Sequence, residues 1–488
     1  MSLSKTDLPQ KNTLFTPHSW SLERPWPVLR CVLLVFGLYL VYLPFSGYDV
    51  LPWDAEQYWQ LVSRFFIKKK NFSLLNYDAN LRGYVGPLLI LPVRAVCMIM
   101  GWAPLHGSRF IGMVWAALLF GYTLPEFWKR VTGHALLGKH WLLLVALSFV
   151  FWRDYFNFCI QDFPALTVLL LALIAFSQPG WQWVAVGGAL LAVALNMRPI
   201  YLASLPGALG WLWWQHGQMA RRANQRLGLG RATLALLPLA GGAALVLLPQ
   251  VLINLRHFGQ LSPLVLATDN GHMPFYLKQL NWGTAYPRYD SSIDPSHYGG
   301  VLYADRSGLQ VLAAQAKGYF ESYQALLQYY LLHPLEGIGR YLRHLFNGLD
   351  LWYATPYPMQ VSKSGLTGLQ LLNYVVLGLG LSYIGFSLKN AATKPHPSIY
   401  GIGWALLAVM LPVCVAIPTA VECRFLLPLH LLLLSMVAYY SPNRLTNLGL
   451  KKSLLAAAVV VLTVWGGVTL SAELKPNLLP VGTLPPGY

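Results

Sequence analysis

Twelve apolar runs recur along the chain, near residues 28–47, 83–102, 108–127, 141–158, 163–178, 181–198, 200–215, 232–253, 366–388, 400–419, 425–440 and 453–471. A helix crosses the hydrocarbon of a bilayer with about 20 mostly apolar residues. Lipid offers the backbone no hydrogen-bond partner, so segments of this kind are restricted to helices that satisfy their own peptide groups. Composition points the same way. Of 488 residues, 56% are hydrophobic and 11% charged, against about 25% charged in a soluble domain. That excludes an ordinary cytoplasmic enzyme and a disordered chain. The expectation is an all-α polytopic membrane protein, with residues 1–488 forming one domain that has no internal repeat.

The charge balance is basic, 35 Lys and Arg against 18 Asp and Glu, a formal +17. In a soluble protein this would suggest nucleic acid. In a membrane protein it reflects loops retained on the cytoplasmic side, and no nucleic-acid partner is expected. The run at 83–102 contains Pro87, Pro92 and a central Arg94, where a charge in lipid costs a few kcal/mol. It is read as an interfacial or re-entrant helix. With the N-terminus cytoplasmic, Lys5, Lys11 and Arg24, then Lys129, Arg130 and Lys139, then Arg221, Arg222, Arg226 and Arg231 fall inside. Lys389, Lys394, Arg444, Lys451 and Lys452 follow them. The sequence therefore predicts eleven spanning helices, with the C-terminus outside. Of the acids only Asp7, Glu23 and Glu126 fall inside, leaving fifteen of 18 outside or near outer helix ends. The first apolar run, starting near Val28, has no cleavage site and is expected to stay as an anchor. Compact loops favour a bacterial inner membrane.

Two external regions, 48–108 and 254–365, are long enough to build a site. In the second, residues 319–346 mix aliphatic, aromatic and basic side chains around His333-Pro334, which predicts two helices lying on the membrane surface. In the first, Tyr58, Leu61, Val62, Phe65 and Phe66 recur at helical spacing, predicting an amphipathic helix over 55–67. Asp54 stands at its start. One reading makes Asp54 an N-cap, with Gln57 completing a capping box. The other makes Asp54 and Glu56 a pair acting on a substrate hydroxyl or holding a metal.

Six segments carry a resemblance. They are Asp54-Ala55-Glu56-Gln57-Tyr58, Arg82-Gly83-Tyr84-Val85-Gly86-Pro87-Leu88, Ser108-Arg109-Phe110, the stretch from Asn157 through Asp162 to Pro164, Asn196-Met197-Arg198-Pro199, and Val421-Glu422-Cys423-Arg424-Phe425 through Pro428. In this order the chain resembles the GT-C class of membrane glycosyltransferases, especially the protein O-mannosyltransferase and aminoarabinose transferase branch. It departs from that branch at Val85-Gly86-Pro87, where Lys-Pro-Pro or His-Pro-Pro is usual, and at Phe425, where tyrosine is usual. Sugar and acceptor are accordingly left open.

The resemblance implies a sugar donor on a polyprenyl phosphate and a hydroxyl acceptor on a glycan, lipid or protein, with inversion at C1 on the outer face. Asp54 would be the base, with Glu56 or Asp162 orienting the acceptor. Arg82, Arg109, Arg198 and Arg424 would hold the phosphate, a task suited to guanidinium forks. Tyr58, Glu422, His272, Arg288 and Tyr289 would contact substrate. His272 belongs to a predicted turn, Asp269-Asn270-Gly271-His272, whereas Tyr286, Arg288, Tyr289 and Asp290 line an acceptor groove or form a surface loop. No cofactor is required, although Asp54 and Asp162 admit a divalent ion. His272, His297, His333 and His344 lack zinc-ligand spacing. The rival functions are a transporter or flippase and a polymerase of lipid-linked glycans. Spans nearly free of acids count against ion-coupled transport.

Overall fold

Each of the twelve apolar runs is helical in the computed structural model, which describes residues 21–67, 71–222, 229–269, 273–361, 365–393, 398–444 and 449–480. The chain opens with α1 (Val28–Tyr42), α2 (Trp53–Leu61), α3 (Val85–Met100), α4 (Pro104–Leu118) and α5 (Leu124–Thr132). A π-helical stretch, Leu119–Thr123, joins α4 to α5. Gly101 and Gly133 close α3 and α5 in the left-handed conformation, where glycine meets no Cβ penalty. Next come α6 (Gly138–Trp152), α7 (Asp162–Phe176), α8 (Trp181–Met197), α9 (Leu205–Arg222) and α10 (Leu229–Phe258).

The second loop holds α11 (Phe275–Ala285), α12 (Arg306–Ala313), α13 (Tyr323–Leu332) and α14 (Pro334–Leu349). It is followed by α15 (Gly368–Thr393), α16 (Ser398–Ala416), α17 (Leu427–Arg444) and α18 (Leu450–Leu474). Strands are confined to three antiparallel pairs among the described residues: β1 (Phe66–Ile67) with β2 (Asn71–Phe72), β3 (Thr268–Asp269) with β4 (Met273–Pro274), and β5 (Arg288–Ser292) with β6 (Gly299–Tyr303).

Among the described residues six helical stretches are long and apolar enough to cross a membrane: Val28–Phe45, Pro104–Thr132, Leu236–Phe258, Gly368–Lys389, Cys423–Tyr440 and Leu450–Asn477. A seventh arises if α6 and α7, bent by 119° at their junction, count as one. The described residues thus fall short of the eleven spans that apolar run-counting predicts. The reason is local. Apolar runs include 3-10 turns and reversals such as Arg153–Asn157 and Pro199–Ser204, leaving α6 and α7 with 15 residues each and α8 with 17. α3 is also short and apolar, with Pro92 inside it. Its Arg94 donates to the carbonyl of Trp59, so it packs on α2.

The outward faces are apolar. On α18, Leu454, Leu455, Val461, Leu462 and Trp465 are all exposed, Trp465 by 68%, and a continuous surface of this kind suits lipid contact. Two ends of the bundle are defined by hydrogen bonds. At one, Gly138 and Lys139 donate backbone N–H to Arg24 and Leu22, and Lys139 pairs with Glu23 at 2.8 Å. At the other, Ser108 Oγ donates to the Asn157 carbonyl at 2.8 Å, Tyr289 N donates to Val421, and Leu479 N donates to Leu302. The segment after α18 therefore lies against β6.

Two local expectations change. α2 begins after Pro52 with no side-chain cap, so Asp54 sits in its first turn and the capping box does not form. The helix also stops at Leu61, giving way to the 3-10 turn Val62–Phe65 and then β1. The break at His333-Pro334 does separate two helices, α13 and α14. Arg340 and His344 are buried, while Leu331, Leu335, Ile338 and Leu342 are exposed.

Candidate active site

Asp54 occupies the first turn of α2, where unpaired N–H groups favour a carboxylate. The preceding residue, Trp53, has φ +50, a left-handed conformation that a bulky side chain adopts at a cost of about 1–2 kcal/mol. Its indole Nε1 donates to the Ser292 carbonyl at 3.1 Å, and its ring packs on Tyr298 at 4.9 Å. Tyr58, one helical turn on, shares the Asp54 face.

Asp54 is bound from both sides. Its Oδ1 accepts from Arg82 Nη2 at 2.8 Å, and its Oδ2 accepts from Arg424 Nη2 at 2.9 Å. Arg82 also donates from Nη1 to the Tyr58 hydroxyl at 3.3 Å and lies 5.1 Å from that ring. Arg424, in the 3-10 turn Cys423–Leu426 before α17, donates from Nε to Glu422 and holds Nη1 3.7 Å from Asp162 Oδ2. Asp162 opens α7 and pairs with Arg198, which follows the last turn of α8 and precedes Pro199. Both Arg198 and Arg424 lie over the Phe425 ring, at 5.3 and 5.7 Å.

The result is a continuous array, Arg82–Asp54–Arg424–Asp162–Arg198, with Glu422 as a branch. Three guanidinium groups balance three carboxylates. The array is graded in depth: the Arg82, Asp54 and Arg198 side chains are 26%, 26% and 23% exposed, those of Arg424, Glu422 and Asp162 8%, 8% and 4%. Burial works to raise the Asp54 pKa, but the Arg82 charge, then that of Arg424, overcomes it and holds the carboxyl at about 2. At Glu422 burial prevails over the Arg424 charge, Asp54 and Asp290 add repulsion, and the pKa is raised.

The remaining expected site residues divide differently. Glu56 is exposed and accepts from Gln60 Nε2 at 2.7 Å, apart from the array. Arg109 is buried among neutral acceptors, Asn157 Oδ1 at 3.0 Å, the Tyr48 carbonyl at 2.7 Å and Ser46 Oγ at 3.3 Å, which tie α4 to the end of α1. Arg288 is buried on β5 rather than displayed on a loop. It grips Asp290 at 2.8 and 3.2 Å, donates to the Asp350 carbonyl at 2.8 Å and stacks 3.9 Å from the Trp352 centroid. Tyr289 is next to it, its backbone N–H on Val421 beside Glu422. Burial, followed by the Glu422 charge, pushes the Tyr289 hydroxyl up to about 12. His272 lies outside the described residues. A small cavity bounded by Tyr155, Arg288, Asp290, Thr355 and Glu422 lies between Glu422 and the Arg288–Asp290 pair of β5.

Arg424 stands between Asp54 and Asp162, so an ion bridging those carboxylates would have to displace a guanidinium. Among the described residues no group of three or more His, Cys, Asp or Glu gathers as a metal-ligand set.

Two glycines bring the array together without any charge to reveal them. A Cβ on Gly83 would lie 2.0 Å from the Asn196 carbonyl oxygen, and one on Gly86 would lie 3.0 Å from the Gln161 side chain. The start of α3 can therefore press against the turns that carry Arg198 and Asp162. Their positions beside Arg82 and Pro87 are the available sequence signal. No family model, curated protein or solved structure matches the chain.

Proposed function

We propose that this chain is a membrane glycosyltransferase, moving a sugar from a polyprenyl-phosphate donor to a hydroxyl acceptor with inversion at C1. The proposal includes a cytoplasmic N-terminus, a site facing the exterior of a bacterial inner membrane, and eleven membrane crossings, the six long helical stretches with α6, α7, α8, α9 and α16 crossing as further helices. The observation that carries it is the Arg82–Asp54–Arg424–Asp162–Arg198 array, drawn from five distant segments and placed at helix ends and loops. A transporter would gain more from charges within the spans.

The chemistry follows from what each group can release. A phosphodiester donor carries one negative charge, and its monoester product carries more, so guanidinium groups stabilise the charge that develops on the leaving oxygen. Arg82, Arg198 and Arg424 are the groups for that task. In the resting array they are engaged by carboxylates, and Asp54, held near 2, is a weak base. A guanidinium that turns toward the donor phosphate frees a carboxylate oxygen, and the Asp54 pKa then rises toward and above the ordinary carboxyl value. Donor binding thus arms the base before the acceptor arrives. The acceptor oxygen attacks C1 opposite the phosphate as its proton passes to Asp54, and the C1–O bond breaks with its electron pair left on the phosphate. The step as written requires no metal or other cofactor. Tyr58 and Glu422, each bonded to one of the arginines that hold Asp54, and Tyr289 are the side chains proposed to contact substrate.

Mass-spectrometric profiling of polyprenyl-phosphate sugars tests this. Cells lacking the protein should accumulate one lipid-linked monosaccharide that the wild-type chain clears on complementation. An unchanged lipid profile would overturn the proposal.

A further inference from the structure

Three buried side-chain amides run in series behind the array. Asn196, two residues before Arg198, is 2% exposed, and Gln250 and Asn254, one turn apart on α10, are fully buried. Asn196 Oδ1 accepts from Val85 N at 2.9 Å, capping the first turn of α3 three residues after Arg82. Its Nδ2 donates to Gln250 Oε1 at 2.8 Å, and Gln250 Nε2 donates to Asn254 Oδ1 at 2.9 Å. Asn254 Nδ2 then donates to the Ser262 and Leu264 carbonyls, both at 2.8 Å.

Burying an amide is unfavourable unless its donors and acceptors are met, and losing one partner orphans the next at about 1–3 kcal/mol. In this series each amide uses both its oxygen and its nitrogen. What the series joins is specific. It fastens the turn bearing Arg82 to the turn bearing Arg198, where Gly83 already lets the two backbones touch. None of these contacts involves a charge. Arginines that exchange carboxylates for a phosphate need a frame that does not loosen with those ion pairs.

We propose that Asn196, Gln250 and Asn254 are positioning residues that fix Arg82 and Arg198 as a two-point holder for the donor phosphate. The phosphate part of this inference rests on the glycosyltransferase reading. The holder itself rests on the hydrogen bonds.

The test uses the full-length purified protein in detergent with three readouts: hydrogen exchange over residues 82–88, binding of a polyprenyl phosphate without sugar, and donor KM and kcat. Gln250→Leu keeps similar bulk and removes both bonds. It should speed exchange at 82–88, weaken lipid-phosphate binding by about tenfold, the equivalent of one buried hydrogen bond, and raise donor KM more than it lowers kcat. Gln250→Glu, whose buried carboxyl stays protonated and keeps both bonds, should bind as wild type at pH 6. Wild-type exchange at 82–88 in Gln250→Leu, or a Gln250→Glu affinity as low as that of Gln250→Leu, would overturn the inference. If Gln250→Leu does not fold, Asn254→Ala, which orphans Gln250 Nε2, takes its place in both comparisons, and wild-type exchange at 82–88 in that variant would overturn the inference. Failure of the wild-type protein to bind any polyprenyl phosphate would instead remove the glycosyltransferase reading and the phosphate part with it, leaving exchange at 82–88 to decide whether the amides fix the two turns.

Discussion

Asp54 and Arg424, 370 positions apart in the chain, meet at 2.9 Å through Oδ2 and Nη2. Because Arg82 engages the other oxygen at 2.8 Å, both carboxylate oxygens of Asp54 are bound by guanidinium groups in the resting site. In the proposed reaction the guanidinium groups that would receive the phosphate also hold the proposed base in check, so donor binding and base activation would be one event.

This pairing gives acid stability a definite sign. The Asp54 pKa is lowered from 3.8 to about 2. A depressed carboxyl stabilises the fold above its unfolded pKa, and that contribution disappears as pH falls through the folded value. Roughly 2 kcal/mol at most is at stake, since one pKa unit corresponds to about 1.4 kcal/mol. Thermal unfolding of the purified protein should show the Asp54 contribution intact down to about pH 4 and lost between about pH 4 and 2. Asp54→Asn should lack that portion of the acid slope. Equal slopes in the two proteins would count against the pairing.

Glu56 should be dispensable. It faces solvent and contacts Gln60 rather than the array. Glu56→Gln should therefore retain turnover within about threefold, a change below 1 kcal/mol. A loss matching that of a missing general base would return Glu56 to the reaction.

The arginines should separate by phenotype. Arg198→Lys, which removes the forked geometry, should raise donor KM. Arg109→Lys should leave KM near wild type and lower the unfolding temperature, because Arg109 binds carbonyl, amide and hydroxyl oxygens that hold α4 in place. Initial rates across donor concentrations, paired with melting curves, distinguish the two patterns.

Gly83→Ala should fail where another glycine substitution succeeds. A methyl at Gly83 meets the Asn196 carbonyl at 2.0 Å, whereas one at Gly339 on α14 meets nothing within 4 Å. Forcing the backbones apart should lower stability by about 1–3 kcal/mol and weaken donor binding. Gly339→Ala should be neutral or stabilising by up to about 1 kcal/mol. Parallel denaturation and lipid-binding curves check both.

Much of the candidate site's charge cluster was legible because its charges stand at the edges of apolar runs. Asp54, Arg82, Asp162, Arg198, Glu422 and Arg424 occupy such edges and do converge. Their partners were not legible, since an arginine at a helix end looks the same in sequence whether it meets a carboxylate or a carbonyl. Arg109, near the start of α4 and bound to neutral oxygens, is the instance. The separation of Asp54 from Glu56 follows from helical geometry once α2 is placed, because residues two apart point about 200° apart. Gln250 and Asn254 left a subtler mark, two amides one turn apart within an apolar run. The number of long helices escaped run-counting because a 3-10 turn such as Pro199–Ser204 is as apolar as the helix it shortens.

Complementation of cells lacking the protein with Asp54→Asn, read as the level of the accumulated polyprenyl-phosphate sugar, tests the central claim most directly. The account predicts a protein that inserts and accumulates normally, yet leaves the lipid-linked sugar uncleared, with turnover reduced by at least about a hundredfold. Clearance at the wild-type rate by Asp54→Asn would contradict it and take the base role away from Asp54.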